Sequence, residues 1–161
     1  MSKNKTLSIH IGLSDKQRTA VIEILNLTLA DTVLLYLKTR NFHWNVEGPQ
    51  FTQLHQLFEQ QYEQLDEAMD EIAERARALQ GRAAGSMAEF SRLARLKETK
   101  GQLSASAMLE ELLADHESII RQLRKDSSAA GECGDAGSED FLVGLLQTHE
   151  KMAWMLRSHL R

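Results

Sequence analysis

The chain has 161 residues, a formal charge of -4 at pH 7, one proline and one cysteine. This length fits one domain, the charge gives no general reason to expect a nucleic-acid or membrane partner, and a lone cysteine excludes a disulfide framework or thiolate cluster. The uncharged stretch from Ile24 to Ala30 is too short to span a bilayer and no signal-peptide core is visible, so we expect a cytoplasmic protein without a membrane span.

Two long helices are predicted in the first half of the chain. Ser14 is a good N-cap, and the first helix runs from there to about Thr39. Its apolar residues cover more than one stripe, which indicates burial on several sides and, in a short chain, contact with other subunits. After a break at residues 48–49, a second helix runs from about Gln50 to Leu79, because its apolar positions recur every three or four residues.

The second half predicts one short and two long helices. Residues 86–96 form a short amphipathic helix, and a third long helix begins near Ser104 and ends at about Lys125. Small and acidic residues over 126–140 indicate a loop, within which Ser138 caps a fourth helix that ends at Leu160.

These segments predict an all-α fold, a ferritin-like four-helix bundle. The short extra helix lies in the long connection between the second and third bundle helices, as expected for a crossover connection. A single domain would occupy residues 14–161 and follow a short N-terminal tail, residues 1–13. The sequence contains no internal repeat that would indicate a second domain.

Five residues in the first half of the chain could bind metal. His55 and Glu59 are four residues apart on the second helix, as are Asp70 and Glu74, so each pair shares a face. The two pairs are separated by roughly 22 Å of helix rise, too far to serve one site within one helix. Two copies of the helix packed antiparallel about a two-fold axis would bring them together. His43 could join its own subunit's His55, and such a set suits iron, manganese or zinc.

These residues allow two other interpretations. Carboxylates four residues apart are common on any charged surface helix, so the pairs also fit a solvated face. A di-iron centre inside the bundle would use Glu-x-x-His pairs. None of the six histidines has a glutamate three residues before it, which leaves the intersubunit site as the favoured metal site.

Two stretches resemble the Dps family of mini-ferritins. They are NFHWNVEGPQFTQLHQLFEQQYEQLDEAMDEIAER, from Asn41 to Arg75, and SEDFLVGLLQTHEKMAWML near the end of the chain. The resemblance covers nearly the whole chain, and the intervals between the candidate ligands, with a tryptophan directly after the first histidine, are specific to that family.

The resemblance implies a hollow dodecamer built from two-fold dimers, with ferroxidase centres at the dimer interfaces. One subunit would supply His43, His55 and Glu59, and its mate Asp70 and Glu74. The family commonly has aspartate at the position of Glu59, so iron in the first position is expected while occupancy by two iron ions is open. The implied reaction is oxidation of Fe(II), preferably by hydrogen peroxide, with storage of ferric mineral and protection against oxidative stress.

The resemblance also implies roles for residues around these centres. Trp44 resembles the tryptophan beside the family's centre, where it could donate electrons to stray oxidising equivalents. The alternative for Trp44 is simple aromatic packing. Asp135 and Asp140 resemble acidic residues of three-fold iron-entry pores, and Glu139 lies beside them. For Glu139 and Asp140 the alternative is stabilisation of the fourth helix's N-terminus.

A DNA-compacting protein of the nucleoid is the alternative function. Phosphate contacts require clustered lysine or arginine, and the tail offers only Lys3 and Lys5. The second connection is basic, although a solvated surface explains it equally: Arg82, Arg92, Arg95, Lys97 and Lys100. A helical assembly that has lost its metal site is a third possibility, which the intact ligand spacing disfavours.

Overall fold

The computed structural model describes residues 8–160, so Arg161 and residues 1–7, with Lys3 and Lys5, lie outside the described residues. Within residues 8–160 the chain forms five α-helices and no strand. The helices are α1 (Asp15–Asn45), α2 (Phe51–Ala78), α3 (Met87–Leu93), α4 (Ala105–Glu132) and α5 (Ala136–His159). The prediction of an all-α four-helix bundle with a short extra helix is confirmed.

The bundle consists of two helix pairs. Helix α1 packs along α2 and α4 along α5, while α1 also contacts α3 and α4. The core between them is apolar, with Leu25, Phe58, Leu112 and Leu142 fully buried, one from each long helix. The long connection between α2 and α4, which carries α3, joins the two pairs in the manner of a ferritin-like bundle.

Helix α1 is longer than predicted. Ser14 is its N-cap, as expected, but the helix ends at Asn45 instead of Thr39. The last turn stays helical because Phe42 and His43 are buried against the rest of the bundle. His43 therefore lies within α1 and not beyond it, so the helix holds its ring in place.

Helix α1 also contains an apolar 18-residue window with a mean hydropathy of 1.7, long enough to cross a membrane by composition alone. The expectation from the short uncharged stretch missed this window. In the structure, this helix contains two buried charges, Asp31 and Lys38, each paired with a charged side chain elsewhere in the bundle. The apolar residues are those of a bundle helix that packs against α2, α3 and α4.

The long connection is fastened to the bundle by Asp31. Its carboxylate accepts hydrogen bonds from the backbone N–H of Arg95 at 2.6 Å and of Leu96 at 3.2 Å. The Arg95 side chain pairs with the same carboxylate at 2.7 Å and with Asp126 of α4 at 2.8 Å. One buried aspartate thus fixes the connection over α1 and, through Arg95, to α4.

The acidic loop predicted over 126–140 is mostly helical. Helix α4 continues to Glu132, past the predicted end at Lys125, because Asp126 binds Arg95 and Ala130 is buried. The N-cap of α5 is Asp135, not Ser138. Small residues usually indicate a loop, whereas the small residues of this stretch permit close packing between helices.

Candidate metal centre

The two histidines of the candidate site meet at the turn between α1 and α2. His43 lies in the last turn of α1, and His55 lies in the second turn of α2. Gly48 between them has a φ of +115°, which side-chain-bearing residues rarely adopt, so the chain can reverse here. The two imidazole rings stack with their centroids 3.7 Å apart and their planes 20° from parallel.

Each histidine ring is held by the backbone of the other. The Nδ1 atom of His43 is 2.8 Å from the carbonyl oxygen of His55, and the Nδ1 atom of His55 is 2.8 Å from the carbonyl oxygen of His43. Because a carbonyl oxygen only accepts, both Nδ1 atoms carry a hydrogen and donate it. In the neutral rings the free lone pair is therefore on Nε2, which is how metal-binding histidines are usually oriented.

Glu59 lies one turn after His55 and is partly buried. The hydroxyl of Tyr62 donates a hydrogen bond to its Oε1 at 3.3 Å. Desolvation, followed by the negative charge of Glu59, raises the pKa of Tyr62, so the phenol remains protonated at neutral pH. The Tyr62 ring meets His43 edge to face at 5.2 Å, and the Arg40 guanidinium lies 4.8 Å from its centroid.

Asp70 and Glu74 are exposed and lie far along α2 from the histidines. The interval from His55 to Asp70 corresponds to roughly 22 Å of helix rise. Across residues 8–160, no three His, Cys, Asp or Glu side chains gather in a way that could hold a metal ion. The protomer thus brings His43 and His55 into contact, places Glu59 nearby, and keeps the other two carboxylates apart.

Trp44 is 59% exposed and lies at the edge of this region. The guanidinium of Arg40 is 5.6 Å from its ring centroid, so Arg40 contacts both Trp44 and Tyr62. The indole therefore borders the candidate site. Its two predicted roles, electron donor and packing residue, stay predictions.

The three acidic residues predicted to line a pore occupy different environments. Asp135 is buried, and it accepts hydrogen bonds from the backbone N–H of Ser138 at 3.0 Å and from its hydroxyl at 2.6 Å. Arg75 pairs with the same carboxylate at 2.8 Å. Glu139, in the first turn of α5, and Asp140, the residue after it, are both exposed. Asp135 is thus committed to capping, and the pore prediction depends on the two exposed residues.

A second histidine pair, which the sequence did not reveal, lies inside the bundle. His116 of α4 and His149 of α5 are buried, and their Nδ1 atoms lie 2.9 Å apart. Burial, and then the nearby His149, lowers the pKa of His116 well below its ordinary value, while burial lowers the pKa of His149 to about 4. In its own helix, each histidine has only apolar residues at three and four positions before and after it, so the sequence spacing could not show that the two side chains meet.

Comparisons with known proteins agree with this architecture. The ferritin-like domain family matches residues 22–161. A protein of Nostoc sp. PCC 7120, described as an uncharacterised low temperature-induced protein, is 52% identical over 154 residues, which cover 94% of this chain and 86% of that protein.

Solved structures are similar over the full bundle. Dps from Thermosynechococcus elongatus is 36% identical with a TM-score of 0.88, over 91% of this chain and 93% of that one. The Dps protein of Vibrio cholerae O1, described as a member of the ferritin-like diiron-carboxylate superfamily, is 31% identical with a TM-score of 0.91. That match covers 99% of this chain and 100% of the other.

Proposed function

The chain belongs to the Dps family of ferritin-like proteins, and we propose that it is a cytoplasmic ferroxidase and iron-storage protein. Its substrates would be Fe(II) and, preferably, hydrogen peroxide, and its product a ferric mineral stored inside a hollow dodecamer. The match to the ferritin-like domain family and the Thermosynechococcus and Vibrio structures support the family, and this chain's own residues support the reaction.

The observation that carries this proposal is the pair of hydrogen bonds by which the backbones of His43 and His55 hold each other's rings. Two imidazoles whose Nδ1 atoms both donate to backbone carbonyls have their Nε2 lone pairs free for a metal ion. A purely structural pair would gain nothing from leaving both of these lone pairs unused. Glu59, one turn further along α2, adds an oxygen ligand of the kind that iron accepts.

The remaining ligands, Asp70 and Glu74, would come from a second copy. An apolar groove between α1 and α3 is lined in part by Val33, Leu37, Met87 and Phe90. Leu37 is 40% exposed and Met87 59% exposed, which is typical of a surface that another chain covers. Val33 and Phe90 also border a second groove that contains Asp70. A partner seated on the apolar groove would therefore reach the region of Asp70, as a two-fold dimer requires.

The proposed chemistry uses iron in pairs. Two Fe(II) ions each give up one electron, and one hydrogen peroxide molecule accepts both electrons and becomes two hydroxide ions. Because the two electrons are transferred together, no hydroxyl radical is released. The carboxylates of Glu59, Asp70 and Glu74 would offset the positive charge of the two ions, and the histidines would fix their positions.

Anaerobic titration of the purified assembly with Fe(II), followed by stepwise addition of peroxide, tests this function. We expect saturable binding of two Fe(II) per centre and consumption of one peroxide for every two Fe(II) oxidised. A spin trap added with the peroxide should detect no hydroxyl radical. Binding that never saturates, or radical release equal to that of free Fe(II), would contradict the proposal.

DNA compaction gains no support from the described residues. Of the basic residues in the connection, Arg82 forms an ion pair with Glu89, and Arg95 pairs with Asp31 and Asp126. A phosphate backbone would have to be bound by the exposed basic residues of the connection that lie outside these ion pairs: Arg92, Lys97 and Lys100. Three separated charges per subunit make a weak electrostatic surface.

A further inference from the structure

Tyr62 contacts two of the proposed iron ligands and is not itself one of the proposed ligands. Its hydroxyl donates to Oε1 of Glu59, and its ring meets the His43 ring edge to face at 5.2 Å. We propose that Tyr62 is a positioning residue that sets the Glu59 carboxylate for the second iron ion. This inference rests on the proposed ferroxidase function and deepens it.

The Tyr62 ring is held by one face of α1. Tyr36, Arg40 and His43 are spaced by four and three residues, so their side chains line the same side of that helix. Tyr36 meets Tyr62 edge to face at 6.1 Å, and Arg40 lies over the ring at 4.8 Å while its Nη1 hydrogen-bonds the Tyr36 hydroxyl. With three neighbours around the ring, the direction in which the Tyr62 hydroxyl points is fixed.

Glu59 needs such a partner because its side chain is long. It has one more rotatable bond than the aspartate that is common at this position in the family, and holding it in one conformation costs more entropy. The hydrogen bond from Tyr62 engages Oε1, while Oε2 has no hydrogen-bond partner among residues 8–160. Because Tyr62 holds Oε1, the free Oε2 points in a defined direction. Hydrogen-bond partners commonly orient metal-binding carboxylates in this way.

Replacement of Tyr62 by phenylalanine removes only the hydroxyl and keeps the ring contacts. Anaerobic titration of the assembled protein with Co(II), followed by calorimetry and by visible absorption, would report two binding events per centre. In Tyr62→Phe we expect the event that is lost in Glu59→Ala to weaken about tenfold, a common effect of removing such a partner. The other event should be unchanged. In a Glu59→Ala background, Tyr62→Phe should change nothing further.

Tyr36→Phe is the matched control, because it removes a neighbouring hydroxyl that contacts Arg40 and no proposed ligand. The loss in Tyr36→Phe should be smaller than in Tyr62→Phe, and equal Co(II) affinities in Tyr62→Phe and wild type would overturn the positioning role. So would wild-type binding in Glu59→Ala. His55→Ala distinguishes failure of the proposed centre from failure of the role of Tyr62. If His55→Ala binds Co(II) like wild type, the centre itself is wrong. If His55→Ala loses binding while Tyr62→Phe binds like wild type, only the role of Tyr62 is rejected.

Discussion

At the scale of single residues, the metal affinity proposed for the histidine pair would depend on hydrogen bonds that a bound metal ion does not itself make. A histidine free in solution can place its proton on either nitrogen, and only one tautomer can use Nε2 as a ligand. Here the carbonyl oxygens of His43 and His55 select that tautomer in both rings. The backbone turn between α1 and α2 is therefore part of the site, since it brings each carbonyl to the other ring.

His43→Ala should abolish rapid oxidation of Fe(II) by peroxide, because it removes one ligand and leaves the His55 ring without its stacking partner. Stopped-flow absorbance of the ferric product measures the initial rate. His159→Ala is the control, since His159 is exposed at the end of α5. Wild-type initial rates in His43→Ala, with the assembly intact by light scattering, would show that this residue is no ligand.

The pair His116 and His149 should make stability depend on pH. Both have pKa values lowered by burial, that of His149 to about 4, while both return to about 6.5 on unfolding. Below pH 6.5 the unfolded state therefore binds more protons than the folded state. The free energy of unfolding should fall as the pH drops from about 6.5 through 4, by about 3 kcal/mol from His149 alone.

Urea unfolding between pH 7 and pH 4.5 measures this dependence. Carboxylates also titrate in that range, so the decisive quantity is the difference between wild type and the double variant His116→Leu/His149→Leu. The variant should lose less stability on acidification than wild type. The His159→Leu control should follow wild type, and identical pH slopes in all three proteins would contradict the assignment.

At the scale of helices, apolar periodicity predicted where each helix lies but not where each one ends. The bounds of α2 agree with the sequence to within one residue, because the break at residues 48–49 that precedes the helix is a local signal. The ends of α1 and α4 are set by distant contacts instead. Phe42 packs into the bundle core and Asp126 pairs with Arg95 across the bundle, and neither contact is visible in the neighbouring sequence.

In the candidate site, too, local features could be predicted from the sequence and contacts between helices could not. The spacing of His55 and Glu59 predicted a shared helix face, and the break near Gly48 predicted that His43 would return to His55. The contacts of Tyr62 with α1 could not be predicted, since they depend on how the two helices are rotated against each other. The buried His116 and His149 pair depends in the same way on the packing of α4 against α5.

Asp31→Asn should destabilise the connection between α2 and α4. The substitution leaves the Arg95 side chain near an uncharged amide and weakens two backbone hydrogen bonds, and breaking a buried pair of this kind costs about 3 kcal/mol. Asp15→Asn is the matched control, because Asp15 also pairs with an arginine but is exposed. Urea midpoints should fall for Asp31→Asn and stay within about 0.5 kcal/mol of wild type for Asp15→Asn.

At the scale of the whole molecule, Glu139 and Asp140, the exposed acids near the start of α5, are proposed to guide iron into the assembly. Asp140→Asn should slow Fe(II) uptake at low ionic strength, where attraction between charges is least screened, and have less effect at high salt. Asp135 is unsuitable for this test because its removal would disturb the cap of α5. Normal uptake by Asp140→Asn at low salt, with a lowered melting temperature, would favour helix stabilisation as its role.

One protomer would supply only part of the ligand set of each proposed centre, so catalysis should require assembly. The exposed apolar groove formed by α1 and α3 borders the region of Asp70, so we propose that the same surface makes the dimer contact and completes the ligand set. Twelve subunits arranged as two-fold dimers would then carry twelve shared centres. A stable monomer in native mass spectrometry would contradict this arrangement.

A mixture of two inactive variants provides the sharpest test of shared centres. His55→Ala chains lack one half of each site, and Asp70→Ala chains lack the other half. In a mixed dimer one site combines both defects and its symmetry mate has neither, because each site takes one half from each chain. With random pairing at equal ratio, half of the dimers are mixed, so about a quarter of all centres should be intact.

Co-refolding the two variants should therefore restore about a quarter of the wild-type rate of Fe(II) oxidation, although each variant alone is inactive. The double variant His55→Ala/Asp70→Ala, co-refolded with wild type, is the matched control, because each site of its mixed dimers takes one defective half and neither site is intact. About a quarter of all centres, those of the wild-type homodimers, should then be active, against about half if each site lay within one subunit. A site confined to one subunit cannot be rescued by mixing, since every chain would keep its own defect. Activity that stays at the level of the separate variants, in a sample whose mixed dimers are proven by native mass spectrometry, would overturn the intersubunit assignment.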